Sequence, residues 1–132
     1  MANLVDNNLI ITGDIAIELI KKLYEEGMSY WIPRPKYLSD NFHTEELESP
    51  PGFPLWLNWS KNHWGTKWDI YEDGRQYTVH DDDCAEIRFL TANSSIEPFC
   101  NALSEMYPRL HIELIYKEEF EDQFTKREWR ND

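Results

Sequence analysis

Residues 85–116, AEIRFLTANSSIEPFCNALSEMYPRLHIELIY, decide the fold because two alternating segments enclose a helical one. Apolar and polar side chains alternate along residues 85–91, a pattern that predicts a strand with one buried face. The alternation returns in residues 110–116, which place four residues on one face: Leu110, Ile112, Leu114 and Tyr116. The sequence therefore predicts a strand, a helix and a second strand in succession.

The central helix of this unit is predicted from its start signal and its spacing. Ser95 or Ser94 is placed to cap a helix that ends near Tyr107–Pro108. The residues expected on its buried side are Ile96, Phe99, Cys100, Leu103 and Met106.

The N-terminal part repeats the strand-helix pattern. Leu9–Thr12 is a short apolar run that Gly13 closes, which predicts a buried strand. Asp14 is expected to cap the next helix and Gly27 to end it. The apolar stripe of that helix consists of Ile15, Leu19, Ile20 and Leu23.

The middle of the chain is irregular. Residues 28–52 carry four of the seven prolines and follow no period, so a long loop is expected there. Phe53–Pro54 is expected to open a further helix that Gly65 ends. Residues 28–64 thus form an insertion rich in tryptophan.

A hairpin is predicted after the insertion. Lys67–Glu72 and Gln76–His80 are expected to be its two strands, joined by a turn at Asp73–Gly74. Three consecutive like charges at Asp81–Asp83 predict an exposed turn.

Together these elements predict the order β-α-(loop, helix)-β-β-α-β. The expected fold class is α+β: a ferredoxin-like βαββαβ antiparallel sheet with helices on one face and a Trp-rich insertion. We expect a single domain over residues 1–132, with the insertion at 28–64. The charged C-terminal tail, 117–132, is expected to be a frayed extension or a short helix.

Composition narrows the class of partner. The 132-residue chain has 25 acidic and 13 basic residues, for a formal net charge of −12. Such a surface repels phosphate backbones and anionic lipids, so direct nucleic-acid or membrane binding is not expected. A basic protein is the natural complement. No secretion signal or apolar span is evident, and the two cysteines form no disulfide or metal motif, so a cytoplasmic protein is expected.

The segment Asn62–Asp69, NHWGTKWD, resembles the Asn-x-Trp-Gly-Thr-Lys-Trp-Asp box of the YubB-type ferredoxin-like family, a domain of unknown function in plasmid- and phage-encoded proteins. Three further stretches resemble that family: Asn8–Gly13, Phe89–Ala92 and Leu103–Leu110. The resemblance implies a ferredoxin-like fold and a mobile-element origin, and it implies no reaction.

Two features depart from this resemblance. The Trp-Ser-Pro-Pro expected after Ala92 is replaced by Asn93–Ser95, and residues 28–52 have no counterpart. Within the box, Trp64, Gly65 and Trp68 are expected to be structural, clamping a corner between a helix and a strand. The alternative is an aromatic platform for a sugar or a proline-rich peptide.

Catalytic patterns are weak. His80 with Asp81 and Asp83, joined by His63 or His111, offers metal-type donors without a recognised spacing, so a solvated turn is favoured. Cys100 is expected in the core, and Cys84 follows three Asp residues, whose negative charge disfavours a reactive thiolate. We therefore expect no enzyme, no cofactor and no metal.

The first hypothesis is an acidic protein-binding module from a phage or plasmid. It would inhibit a basic host or defence protein, such as a nucleic-acid-binding component of a CRISPR or restriction system, by imitating the charge of DNA. The expected contact residues are Glu72, Asp73, Asp81, Asp82, Asp83, Glu86, Glu113, Glu118 and Glu119. The insertion is expected to cover part of the sheet face that the helices leave open. The alternatives are a small-molecule or glycan binder using the tryptophans, and a metal-dependent hydrolase around His80–Asp83.

Overall fold

The structure is a computed structural model that describes residues 3–34 and 55–130, with only the backbone for 55–58. Within these residues, five strands and three α-helices follow one another: β1 (Leu4–Thr12), α1 (Ala16–Glu26), α2 (Leu55–His63), β2 (Gln76–Asp81), β3 (Cys84–Ala92), α3 (Glu97–Met106), β4 (His111–Glu118) and β5 (Thr125–Trp129). A short 3-10 turn, Met28–Tyr30, follows α1.

The strands form one sheet in the order β2-β3-β1-β4-β5. Every neighbouring pair is antiparallel. The central strand β1 pairs Leu9 with Ile87 of β3 on one side and with Leu114 of β4 on the other. The predicted α+β class is confirmed in this form, a five-stranded antiparallel sheet with three helices.

One face of the sheet is buried. Its alternating residues and the apolar stripes of α1 and α3 form a single core that includes Leu9, Ile11, Leu19, Ile20, Leu23, Ile87, Phe89, Phe99, Cys100, Leu103, Ile112 and Leu114. The burial periods predicted from sequence for β3, β4 and α3 therefore hold. Ile15 and Met106 are exceptions, because they lie at helix ends and are 39% and 46% exposed.

The other face of the sheet carries the intervening residues, and we call it the polar face. Its members include Asp6, Asn8, Glu86, Arg88, His111, Glu113, Lys126 and Glu128. Because successive strand residues point to opposite sides, these groups are separated from the core by the sheet itself.

Asn7 is a polar residue on the core side of β1 and is fully buried. Its Nδ2 donates to Thr91 Oγ1 at 3.0 Å and to the Val5 carbonyl at 3.1 Å, and its Oδ1 accepts from Ser95 Oγ at 2.7 Å. Ser95 therefore bonds to β1 and does not cap α3, which starts after Ile96 without a side-chain cap. The network lies in the first half of β1, which begins at Leu4, earlier than the predicted Leu9.

We expect Asn7→Ala to lower the free energy of unfolding by about 2 kcal/mol, because it leaves the Thr91 and Ser95 hydroxyls buried with fewer partners. Urea denaturation measures the loss. Asn8→Ala is the matched control, because Asn8 lies on the polar face and is half-buried. Equal losses in the two variants would contradict the role assigned to the buried network.

The predicted hairpin was wrong in position. Lys67–Glu72 is not a strand, although Lys67 and Tyr71 donate backbone hydrogen bonds to the Ala92 and Leu90 carbonyls along the edge of β3. The hairpin is β2–β3, and its turn lies at Asp82–Asp83. Asp73–Gly74 forms a turn that leads into β2.

In the irregular segment before β2, the Asp69 side chain bonds to the 3-10 turn that follows α1. Its Oδ1 accepts from the Met28 N–H at 2.8 Å, and its Oδ2 accepts from the Ser29 N–H at 3.0 Å. Asp14 likewise does not cap α1, since the residue at the N-cap is Ile15 and no side chain bonds there. Gly27 ends α1 as predicted, at a φ of 76°.

The C-terminal tail was predicted as a frayed extension or a helix, and residues 125–129 instead form strand β5. Trp129 Nε1 donates to Asn101 Oδ1 of α3 at 2.5 Å, and Arg127 pairs with Glu97 at 3.3 Å. These contacts hold the strand beside β4. Phe120 and Phe124, which lie between β4 and β5, are 81% and 63% exposed.

The described parts of the insertion pack on the helical side of the sheet. Met28 and Trp64 belong to the core, and Trp31 contacts Phe99 of α3 with ring centroids 5.7 Å apart. The expectation that the insertion covers the open sheet face was therefore wrong for residues 28–34 and 59–64. Their apolar side chains find buried partners in the helix layer. The predicted loop and helix start over residues 35–54 lie outside the described residues.

Candidate functional site

Carboxylates on the polar face are paired with bases. Arg88 binds Asp6 at 2.7 Å, Glu86 lies 2.8 Å from His80 Nε2, and Glu113 lies 3.5 Å from Lys126 Nζ. Each pair joins two neighbouring strands of the sheet. Glu86 and Glu113 were expected to contact a partner, and the structure places each of them beside a base of the chain itself.

The pKa values on this face follow the same pattern. Hydrogen bonding to Asp6 raises the pKa of Arg88 above its ordinary value. The bond to His111, and then the one to Lys126, lower the pKa of Glu128. Both shifts mean that the hydrogen-bond partner stabilises the charged form of the group. Arg88 and Glu128 are therefore held in their charged forms by neighbouring side chains of the polar face.

The metal-type donors are arranged differently from the prediction. Among the described residues, His111, Glu113 and Glu128 place one ligand atom each within 4.8 Å of one another. Lys126 lies 3.3 Å from Glu128, so a lysine ammonium already neutralises this group. His80 bonds to Glu86 rather than to Asp81 or Asp83, which are exposed.

Four further acidic residues lie together at one end of the sheet. Leu4 of β1 and Leu90 of β3 line two adjoining depressions there. The first depression, about 540 Å³, is bordered by Tyr71, Glu72 and Asp73. The second, about 210 Å³, is bordered by Asp6, Lys117, Glu118 and Glu119. We call Glu72, Asp73, Glu118 and Glu119 with Leu4 and Leu90 the acidic end.

The bases nearest to the first depression bind other groups. The guanidinium of Arg75 donates to three backbone carbonyls, those of Tyr24, Ile70 and Tyr71. Lys67 Nζ lies 4.6 Å from the centroid of the Trp68 ring. Within residues 3–34 and 55–130, neither Glu72 nor Asp73 forms an ion pair, and both are exposed.

The second wall of the acidic end is crowded with carboxylates. Glu119 Oε1 accepts the backbone N–H of Leu4 at 3.1 Å, which holds this wall against β1. The hydrogen bond with Glu118, together with the negative charge of that residue, raises the pKa of Glu121. Lys117 also lines this depression, so carboxylates outnumber bases at the acidic end.

Asp81, Asp82 and Asp83 lie at the opposite end of the sheet. They surround the β2–β3 turn, where the Gly13 N–H donates to the Asp83 carbonyl at 2.8 Å. Strand β3 has nine residues, so this turn is roughly 27 Å from the acidic end. The predicted contact residues therefore fall into three groups. The first is the acidic end and the second is the Asp81–Asp83 turn. The third consists of Glu86 and Glu113 on the polar face, which lie beside His80 and Lys126.

The five tryptophans whose side chains the structure describes do not form one platform. Trp64 is 3% exposed and donates to the Ile32 carbonyl at 2.9 Å. Trp31 Nε1 donates to Tyr107 Oη at 3.2 Å, and Trp59 stacks on His63. Trp68 is half-buried under Lys67. The indole N–H groups of Trp31, Trp64 and Trp129 are therefore used within the fold.

Both cysteines are free thiols. Cys100 lies in the core, and burial raises the pKa of its thiol far above the ordinary value. Cys84 is half-buried, and its Sγ accepts a hydrogen bond from Thr12 Oγ1 at 3.5 Å. Neither thiol is hydrogen-bonded to a histidine in the described part of the chain, so the structure provides no activated nucleophile there.

Comparison of the chain with protein-family models, with curated proteins and with solved structures finds no match. Over the described ranges 3–34 and 55–130, no helix has the length and apolar character needed to cross a membrane. The acidic end is therefore interpreted from its own geometry.

Proposed function

We propose that this protein is an acidic protein-binding module that acts by binding rather than by catalysis. Its partner is a basic protein, and the acidic end is the main contact. The observation that carries the proposal is the contrast between two sets of carboxylates. Those on the polar face lie beside bases of the chain, whereas Glu72 and Asp73 border an apolar depression that has no lysine or arginine among its described lining residues.

Such an arrangement favours association with an external base. Unpaired carboxylates create a negative potential that steers a basic protein towards the surface and orients it. The exposed leucine floor supplies apolar contact area at the same place. The Asp81–Asp83 turn extends the negative field to the far end of the sheet.

We further propose that the fold is ferredoxin-like and that the protein comes from a phage or plasmid. The element order and the strand order β2-β3-β1-β4 support the fold, with β5 as an added edge strand. The resemblance of Asn62–Asp69 to the YubB-type box supports the origin. In this setting the protein acts in the host cytoplasm and inhibits a nucleic-acid-binding host or defence protein, of the CRISPR or restriction type.

Binding can be tested by capture from a bacterial lysate, followed by affinity measurement with the captured protein. We expect a basic protein whose affinity falls steeply as NaCl rises, because salt screens exposed charges. A variant with Glu72→Gln, Asp73→Asn, Glu118→Gln and Glu119→Gln should bind at least tenfold more weakly.

The control removes the same number of charges from helix α1 and its start: Asp14→Asn, Glu18→Gln, Glu25→Gln and Glu26→Gln. This variant should bind within threefold of the unmodified protein. Equal loss in both variants would show that net charge alone matters. Binding that does not depend on salt would contradict the proposal. The inhibitory role is tested separately, by phage plating on a defence-positive host that expresses each variant.

A further inference from the structure

The first depression of the acidic end combines three features that suit one particular side chain. Its lining combines two leucines, Leu4 and Leu90, with an aromatic ring, Tyr71, and two acidic residues, Glu72 and Asp73. An apolar floor accepts a methylene stem, an aromatic ring stacks on a planar cation, and carboxylates accept its N–H donors. We propose that this depression binds an arginine side chain of the partner, an inference that rests on the proposed function.

The adjoining depression shows why the first one takes the cation. The second is lined by a base of the chain itself, Lys117, and by Asp6, which Arg88 already neutralises. The first is lined by two carboxylates and by none of the lysines or arginines of residues 3–34 and 59–130. The nearby Arg75 is held on backbone carbonyls and leaves those carboxylates available.

Arginine fits better than lysine for geometric reasons. Glu72 and Asp73 are adjacent in sequence and present two carboxylates on one border. A guanidinium offers five donors in a plane and can bond to both while its flat face rests on Tyr71. A lysine ammonium is strongly hydrated and has no flat face, so it loses the stacking contact.

The inference is tested with N-acetyl-arginine amide titrated into the full chain, with the leucine methyl groups followed by NMR. We expect saturable shifts of the Leu4 and Leu90 methyl signals. N-acetyl-citrulline amide has the same shape without the charge and should cause no saturable shift. N-acetyl-lysine amide should bind at least fivefold more weakly. Equal responses to arginine and lysine would overturn the assignment to arginine.

A pair of matched variants localises the site. Glu72→Gln with Asp73→Asn should weaken arginine binding at least tenfold. Asp82→Asn with Asp83→Asn removes two charges from the far end of the sheet and should change the affinity less than twofold. If the two pairs weaken binding equally, the effect is one of overall charge and the pocket is rejected.

Failure of this inference can be separated from failure of the proposed function. If the captured protein still binds the Glu72/Asp73 variant at full strength but not the variant lacking all four acidic-end charges, the function stands and the pocket is rejected. If arginine binds as described and no basic protein is captured, the pocket stands and the function is rejected.

Discussion

Gly65→Ala is expected to lower the free energy of unfolding by about 3 to 4 kcal/mol, which combines backbone strain with steric overlap. Gly65 has a φ of 97°, a conformation that residues with a Cβ rarely adopt. An added Cβ would lie 2.5 Å from Pro98 Cδ and would also overlap the carbonyl oxygen of Ser95. Both neighbours are held at the start of α3, so they cannot move aside without disturbing the core.

Gly74→Ala is the control for this prediction. Gly74 also has a positive φ, 79°, but an added Cβ would meet no atom within 4 Å. The expected loss is therefore about 1 kcal/mol, from backbone strain alone. Urea denaturation of the two variants under identical conditions gives the difference. Equal losses would show that the packing of Gly65 against α3 contributes nothing to stability.

The residues beside Gly65 in the box Asn62–Asp69 also make contacts within the fold. Trp64 enters the core, and the Gly65 carbonyl accepts a hydrogen bond from the Ser94 hydroxyl. Thr66 is buried and bonds to the Trp68 carbonyl. Each of these contacts joins the end of α2 to the start of α3 or closes the turn itself. Trp64, Gly65 and Thr66 of the box therefore all make contacts within the fold.

The parts of the fold that sequence predicts well are those encoded by local period. The alternation in β3 and β4 and the stripe of α3 specify which side is buried without reference to any distant residue. Strand β5 was missed because its central residues, Lys126, Arg127 and Glu128, are charged and exposed. Its stability comes from pairing with β4 and from contacts with α3, which no local pattern reports.

The candidate site was only partly predictable for a related reason. The sequence shows that Glu72, Glu86 and Glu113 are acidic, but not which of them is neutralised. Glu113 is paired with Lys126, which reaches it only because β5 lies beside β4. Leu4 and Leu90 gave no signal, because their position beside the acidic residues depends on the register of β1 with β3 and on the path of the chain before β2.

Asp69→Ala is expected to lower the free energy of unfolding by about 3 kcal/mol, because it removes a carboxylate that accepts several hydrogen bonds. Asp69 accepts from the Met28 and Ser29 N–H groups and from Ser29 Oγ at 2.5 Å. It also accepts from the Ile70 N–H at 2.8 Å. One side chain thus fastens the start of the 3-10 turn to the segment that precedes β2, some 40 residues later.

The variants Asp69→Asn and Asp73→Ala make this prediction specific. Asparagine keeps one acceptor oxygen, so Asp69→Asn should lose about half as much stability as Asp69→Ala. Asp73→Ala removes an exposed charge from the same segment and should leave the denaturation midpoint almost unchanged. Because the N–H groups of Met28 and Ser29 donate to the Asp69 carboxylate, hydrogen exchange at these two residues should accelerate first in Asp69→Ala. Unchanged exchange there, or equal loss of stability in Asp73→Ala, would contradict the fastening role of Asp69.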